Sequence, residues 1–164
     1  MKRILLLAAA ILLSAPLRAQ DAPADVESQV AEATRSKAVT VVHFWATWCP
    51  NCRDELKDGG WSGFIAAHPG VDFVFVEIWD AADGRTVLSR YGVGPQRNVT
   101  LLHHPNTSRK RGEMVSQMLG MPISWIPTTW VFRDGKLRYA MNYGELRFGM
   151  LDRLVRDTTD SWDR

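Results

Sequence analysis

The pattern of apolar and polar residues predicts alternating helices and strands along the first half of the chain. Residues 25–37 carry apolar side chains at helical spacing with charges opposite, which predicts an amphipathic helix. Two runs of β-branched and aromatic residues, 39–45 and 71–78, predict buried strands. The second run is almost wholly apolar and is typical of a central parallel strand. Between them, Gly59-Gly60 predicts the end of the helix that follows the first strand.

In the second half of the chain, the pattern of apolar residues predicts shorter helices and strands. Residues 86–91 predict a helix, residues 99–102 a strand, and residues 146–155 an amphipathic closing helix. Residues 108–119 predict a further helix, although the basic residues 109–111 would then oppose the helix dipole at its start. We interpret these three residues as a solvated surface, and a patch that docks a partner is the alternative.

The first strand leads directly into the only two cysteines of the chain, Cys49 and Cys52. If the strand ends near Thr47, Cys49 lies at or just before the first turn of a helix, where unpaired backbone N–H groups favour an anion. Pro50 has no N–H and suits the first helical position. A thiolate is such an anion, and a lowered thiol pKa would make Cys49 a nucleophile near neutral pH. Cys52 would be shielded and placed to attack a mixed disulfide at Cys49.

Two other interpretations of the cysteine pair remain open. The pair can be half of a zinc site, but a structural zinc site needs four ligands, and the histidines lack the H-x(3–5)-H spacing. We expect His103 and His104, which follow a predicted strand, to face solvent. The pair can also be a purely structural disulfide. We favour redox chemistry over both alternatives.

The segment WATWCPNCRDE, residues 45–55, resembles the active-site segment of thioredoxin-fold proteins and is most similar to the bacterial extracytoplasmic TlpA/ResA/DsbE group. A second segment, WIPTTW at residues 125–130, matches the cis-proline loop of that family, and residues 131–137 match its strand, Asp-Gly turn and strand. The resemblance covers about residues 26–157. It implies an α/β thioredoxin fold, with a central mixed β-sheet flanked by helices. A TlpA-type helix–strand insert, at residues 81–106, would separate the CxxC helix from the cis-proline loop.

The resemblance also implies roles for individual residues. Cys49 would be the catalytic nucleophile and Cys52 the resolving thiol, with Trp48 packed beside them. Pro127, if cis, would present the backbone of Ile126 to an incoming peptide, which would pair with it as a short β-bridge. Ordinary rim packing of Trp48 and a trans Pro127 are the alternatives.

His43 and Glu55 are the candidates for tuning the cysteine pair. His43 lies six residues before Cys49, where thioredoxins place a buried acid that relays protons to the second cysteine. An imidazole can do the same work near neutral pH. Glu55, six residues after Cys49, matches an acidic residue that tunes the pair in ResA-like proteins. A hydrogen-bonded core histidine and an exposed helical glutamate are the alternatives. Lys57 stands where the family commonly has a helix-kinking proline, which predicts a shorter or straighter helix.

The first 19 residues are typical of a secretory signal peptide. Lys2 and Arg3 precede a run of 12 mostly apolar residues, too short to span a bilayer comfortably, and we expect cleavage after Ala19. An uncleaved membrane anchor is the alternative. Removing the segment leaves 17 basic and 18 acidic residues, a net charge of −1, and so nothing that suggests nucleic-acid binding. Residues 20–164 are then one thioredoxin-like domain.

We therefore expect an enzyme, a thiol–disulfide oxidoreductase exported to an oxidising compartment, the bacterial periplasm. Its partners would be client proteins with thiols or disulfides and a redox partner that recycles the dithiol. The resemblance implies a reductant for specific clients, for example in cytochrome c maturation, without a metal or organic cofactor. A disulfide oxidase or isomerase, and a non-enzymatic assembly factor that binds copper through the cysteines, are the alternatives.

Overall fold

The structure of the chain is a computed structural model that describes residues 25–142, 144 and 146–160. The expected signal peptide, residues 1–19, lies outside the described residues. Within the described part of the chain, no helix is long and apolar enough to cross a membrane.

Helices and strands alternate along the described residues, as the sequence predicts. In chain order they are α1 (Val26–Thr34), β1 (Thr40–Trp45), α2 (Pro50–Asp54), α3 (Gly60–Ala67), β2 (Asp72–Glu77), α4 (Gly84–Arg90), β3 (Val99–His103), β4 (Gln117–Met118), β5 (Met121–Pro122), β6 (Thr128–Arg133), β7 (Lys136–Met141) and α5 (Phe148–Thr159). A single 3-10 turn, Lys57–Gly59, separates α2 from α3.

The strands form a five-stranded mixed sheet in the order β3-β2-β1-β6-β7. β1, β2 and β3 are parallel, whereas β6 pairs antiparallel with both β1 and β7. β1 occupies the centre, and all of its residues are buried. The expected thioredoxin fold is therefore confirmed, and so is the helix–strand insert, which consists of α4 and the edge strand β3.

The two faces of β1 pack against different apolar clusters. Val41 and Trp45 belong to the cluster that contains both cysteines. Val42 and Phe44 belong to the second cluster, on the opposite face. Because side chains alternate along a strand, His43 lies on the same face as Val41 and Trp45, which is the cysteine side of the sheet.

The helix that starts at the cysteines is short, as expected, and ends in a left-handed bend. α2 has five residues, and Asp58 and Gly59 then have φ angles of 52° and 75°. Left-handed backbone therefore makes the bend that a proline would make elsewhere in the family. Across the bend, the N–H of Trp61 donates to the carbonyl of Glu55 at 3.2 Å. A Cβ on Gly60 would clash with that carbonyl oxygen, so the glycine allows α2 and α3 to stay close.

The prediction of a helix at residues 108–119 is wrong. This fully described segment is a loop that leads into β4, because side chains and a left-handed glycine occupy its backbone. Asn106 Nδ2 donates to the carbonyl of Glu113 at 2.7 Å, and Trp79 Nε1 donates to that of Val115 at 2.8 Å. Gly112 has a φ of 87°, which a right-handed helix does not allow.

Gly84 is a close-packing position behind the strand that carries the active-site segment. Its N–H donates to Glu77 Oε2 at 3.0 Å, and a Cβ here would lie 2.6 Å from Trp45 Cζ2 and closer still to Glu77 Oε1. We predict that Gly84→Ala lowers the free energy of unfolding by about 1–3 kcal/mol, as expected for overpacking. Urea denaturation followed by tryptophan fluorescence measures the change.

Gly63→Ala is the matched control for this substitution. Gly63 also lies in a helix, but it is exposed and a Cβ there would meet no atom within 4 Å. Helix propensity predicts a gain of up to about 1 kcal/mol at this site. Equal effects at the two glycines would show that the packing around Gly84 is looser than the contacts indicate.

Candidate active site

Cys49 lies where the central strand gives way to a helix, as the sequence predicts. β1 ends at Trp45, and Cys49 is the N-cap of α2, with Pro50 in the first helical turn. Cys49 Sγ accepts a hydrogen bond from the N–H of Cys52 at 3.3 Å. This contact and the neighbouring unpaired N–H groups favour negative charge on the sulfur when the pair is reduced.

The two cysteines form a disulfide, so the structure represents the oxidised state of the pair. Their Cα atoms are 5.3 Å apart. Cys49 is 4% exposed and Cys52 only 1% exposed. Both sulfurs are therefore shielded, and the small accessible area belongs mainly to Cys49.

The cis-proline loop faces Cys49, and the Ile126–Pro127 peptide bond is cis as expected. The carbonyl oxygen of Ile126 lies 3.7 Å from Cys49 Sγ. Thr128 Oγ1 donates to the carbonyl of Trp125 at 2.8 Å, which holds the loop in shape. An extended peptide that reaches Cys49 would therefore meet the backbone of Ile126.

The turn before the cysteines is fixed from the end of β2. The backbone N–H and the hydroxyl of Thr47 both donate to Asp80 Oδ2 at 2.6 Å. Trp48 Nε1 donates to the carbonyl of Trp79 at 2.8 Å, while 38% of Trp48 stays exposed beside Cys49. Trp48 thus forms a fixed aromatic surface, the aromatic wall, at the rim of the active site beside Cys49. Sequence reasoning missed Asp80 and Trp79, although both follow a strand parallel and adjacent to β1.

His43 and Glu55 meet in the core on the cysteine side of the sheet. His43 Nε2 lies 3.4 Å from Glu55 Oε2, and its Nδ1 lies 2.9 Å from Thr129 Oγ1. Complete burial lowers the pKa of His43 to about 3, so the imidazole is neutral at physiological pH. A neutral ring that donates from Nε2 to Glu55 and accepts at Nδ1 from Thr129 satisfies both contacts.

Glu55 is a buried carboxylate, so the interpretation as an exposed helical glutamate is wrong. Its Oε2 accepts from Trp61 Nε1 at 3.1 Å, and its Oε1 accepts from the N–H of Leu146 at 3.0 Å. The left-handed bend at Asp58 and Gly59 brings Trp61 back to this side chain, which lies three residues beyond Cys52. Trp61 and Thr129 went unnoticed in the sequence, although Thr129 lies only two residues after Pro127.

A small cavity lies beside Glu55 and Pro127. It has a volume of about 80 Å³, and its lining includes Thr129 and the exposed residues Arg147 and Met150. This is room for about two water molecules, at roughly 30 Å³ each. The side chain of Glu55 itself has no exposed surface, so the cavity lies beside this residue without exposing its carboxylate.

A second buried carboxylate, Glu77, pairs with His103, so the prediction that His103 faces solvent holds only in part: a third of its side chain is exposed while its Nδ1 contacts the core carboxylate. Glu77 Oε2 lies 2.6 Å from His103 Nδ1. Burial raises the pKa of Glu77, and hydrogen bonds from His103 and Gly84 act in the opposite direction. In the described part of the chain, no group of three or more His, Cys, Asp or Glu residues is arranged to hold a metal ion.

Comparison with known proteins gives one family match and one curated relative. The family model of the thioredoxin-like domain matches residues 26–159. Sporulation thiol-disulfide oxidoreductase A of Bacillus subtilis is 27% identical over 97 residues, which cover 58% of this chain and 53% of the relative. The chain thus aligns with about half the length of this curated relative.

Solved structures show the same fold at low sequence identity. A secreted Mycobacterium tuberculosis disulfide oxidoreductase homologous to E. coli DsbE has a TM-score of 0.55 and 24% identity, covering 76% of this chain and 85% of its own. A DsbF homologue from Corynebacterium diphtheriae has a TM-score of 0.56 and 18% identity, covering 75% of this chain and 73% of its own. At these identities, the similarity supports the architecture of the sheet and helices.

The burial of His43 predicts a specific dependence of stability on pH. An unfolded histidine titrates near pH 6.5, whereas folded His43 has a pKa of about 3. Between these values the unfolded state binds the extra proton. The free energy of unfolding should therefore fall by about 1.4 kcal/mol per pH unit as the pH drops through this window. In His43→Asn this contribution should disappear. Protonation of His43 above about pH 5, observed by NMR, would contradict the neutral assignment.

Proposed function

The chain belongs to the thioredoxin-like family, and on that premise we propose that it is a thiol–disulfide oxidoreductase that acts through Cys49 and Cys52. The observation that carries the proposal is the disulfide at the N-terminus of α2, facing the backbone of Ile126. In this arrangement the Cys49 sulfur can be reached by a client, and the Cys52 sulfur is more deeply buried. The named activity of the Bacillus subtilis relative agrees with the proposal.

In the proposed reaction, two electrons pass from the reduced pair to a client disulfide. The Cys49 thiolate attacks one client sulfur, the client S–S bond breaks, and the departing client thiolate takes a proton. Cys52 then loses its proton and attacks Cys49 Sγ, which releases the second client thiol. The product is the Cys49–Cys52 disulfide, the state seen in the structure. A redox partner must then reduce this disulfide again.

We propose that the pair works as a reductant. Strong oxidants of the superfamily such as DsbA stabilise the thiolate of the reduced form, helped by a histidine beside the second cysteine. Here Asn51 occupies that place and brings no charge. The buried His43 is neutral, so it adds no positive charge beneath the pair. Because the Cys49 thiolate is less stabilised than in such oxidants, the disulfide form is favoured. The dithiol therefore gives up its electrons more readily.

We further propose that Glu55 accepts the proton that Cys52 must lose, with His43 holding the carboxylate in place. Glu55 lies three residues beyond Cys52 and borders the small cavity. Three contacts, from His43, Trp61 and the N–H of Leu146, fix its two oxygens. A carboxylate can accept a proton from a thiol, whereas a neutral imidazole with a pKa of about 3 accepts one poorly.

The N-terminal segment and the relatives support a proposal for the site of action. We propose that residues 1–19 direct export to the periplasm, and the Mycobacterium tuberculosis neighbour is itself described as secreted. Specific clients with disulfides, for example an apocytochrome during cytochrome c maturation, fit a reductant in that oxidising compartment. The resemblance to the DsbE group supports this choice of client.

The roles of the two cysteines predict different failures in matched variants. Reduced wild-type protein should reduce a peptide disulfide, and Cys49→Ser should abolish the reaction because the attacking sulfur is gone. Cys52→Ser should still attack and then accumulate a mixed disulfide at Cys49, visible by mass spectrometry. A mixed disulfide that accumulates at Cys52 in the Cys49→Ser protein would reverse the assignment. No reaction with wild-type protein would reject the proposed activity.

The proton-acceptor role predicts a slow second step in Glu55→Gln. Attack on the client should change little, whereas release of the client from the mixed disulfide should slow by about tenfold or more. Rapid acid quenching and mass spectrometry separate the two steps, and their pH profiles show whether an added base restores the rate. Asp54→Asn is the control, since Asp54 is on the same helix but exposed and paired with Lys57. Unchanged release in Glu55→Gln would contradict the role.

A further inference from the structure

Arg109 lies over the aromatic wall at the rim of the active site. Its guanidinium carbon is 4.0 Å from the centre of the Trp48 ring. Trp48 directly precedes Cys49, is partly exposed, and is fixed by the hydrogen bond from its Nε1 to the carbonyl of Trp79. A positive charge is therefore held close to the sulfur that a client must approach.

The loop that carries Arg109 is fixed by its own polar side chains. Asn106 Nδ2 donates to the carbonyl of Glu113, and Asn106 Oδ1 accepts from the N–H of Ser108 at 3.0 Å. Lys110 Nζ pairs with Glu113 Oε1 at 2.5 Å, which neutralises that charge within the loop. Arg109, in contrast, makes no ion pair or hydrogen bond with any other described residue.

A guanidinium stacked on an aromatic ring can still bind a carboxylate. Stacking uses the face of the planar group, and the N–H donors project from its edge. Two of these donors fit the two oxygens of a carboxylate in a bidentate contact. Trp48 thus holds Arg109 in place through the face of the guanidinium. The N–H donors at the edge of the group stay available to an acidic partner.

We propose that Arg109 recognises a carboxylate of the client, so that preferred clients carry Asp or Glu within a few residues of the reactive cysteine. The inference rests on the proposed oxidoreductase activity and adds a choice of client to it. The client segment would meet the backbone of Ile126 at the cysteine and Arg109 beside it. Trp125, which is 60% exposed and precedes Ile126, offers apolar surface to the same segment.

The test uses reduced, full-length protein and a series of synthetic peptides. Each peptide carries one cysteine as a mixed disulfide with 2-thiopyridine, a leaving group without a carboxylate. Cys49 attacks the peptide sulfur, the S–S bond to the pyridine breaks, and 2-thiopyridone is released and measured by absorbance. Six peptides place one glutamate at the first, second or third position on either side of the cysteine, and six partners carry glutamine there.

With wild-type protein, at least one glutamate peptide should react about fivefold faster than its glutamine partner, the size expected for a partly exposed ion pair. Arg109→Gln should bring that ratio close to one, while the rates with the glutamine peptides stay near wild type and show that the variant is folded. Arg111→Gln removes the same charge from the same loop and should keep the ratio. Added salt should reduce the wild-type ratio.

Three results would overturn the assignment to Arg109. These are a ratio near one at every position with wild-type protein, a ratio that survives in Arg109→Gln, and an equal loss of the ratio in Arg111→Gln. Failure of the oxidoreductase proposal gives a different result. In that case wild-type protein would release 2-thiopyridone from the glutamine peptides no faster than an ordinary small thiol does, and the client preference would be rejected with it.

Discussion

The buried carboxylate of Glu55 is the constraint around which the active-site side of the molecule is arranged. A carboxylate in the core is tolerated only where hydrogen bonds replace the water it has lost. Trp61 from α3, His43 from β1 and the N–H of Leu146 before α5 supply these contacts. One side chain thus ties together the central strand, the two helices after the cysteines and the start of the last helix.

The same constraint explains the bend after α2 and the cavity beside it. A helix that continued straight past Glu55 would carry Trp61 away from the carboxylate, whereas the left-handed Asp58 and Gly59 bring it back. Because the last helix is held at Leu146, a small space remains between Glu55 and Pro127. The side chain of Glu55 has no exposed surface, so its oxygens are held by Trp61, His43 and Leu146 and not by solvent.

The parts of the site that could be predicted from the sequence are those whose backbone is determined by residues close together in the chain. A strand of β-branched residues, a proline after the first cysteine and the WIPTTW segment are short patterns, and each specifies its own backbone. The placement of Cys49 at the start of a helix followed from the local pattern, whereas the cis bond before Pro127 was expected only from the resemblance of WIPTTW to the family's cis-proline loop. His43 was recognisable through the same resemblance, because thioredoxins place a buried acid six residues before the first cysteine.

The parts that sequence missed depend on contacts between distant segments. Burial of Glu55 requires contacts with Trp61 and Leu146. The positions of these two residues in the sequence do not indicate that they contact Glu55. The 108–119 segment has helical periodicity, yet Asn106 and Trp79 bind its backbone and Gly112 turns left-handed. The sequence pattern ends the strand at Leu102, whereas β3 extends to His103 and its parallel pairing with β2 sets His103 against Glu77. Tertiary contacts override local propensity in each case.

The reduction potential of the Cys49–Cys52 pair tests the central claim most directly, because it depends on how far the protein stabilises the Cys49 thiolate. The protein would be equilibrated in glutathione buffers, quenched and alkylated, and the reduced fraction measured by mass spectrometry. A neutral His43 beneath the pair and Asn51 beside Cys52 predict a potential of roughly −270 to −200 mV, near that of thioredoxin. A potential above about −150 mV, close to that of DsbA, would contradict a reductant and indicate an oxidase or isomerase.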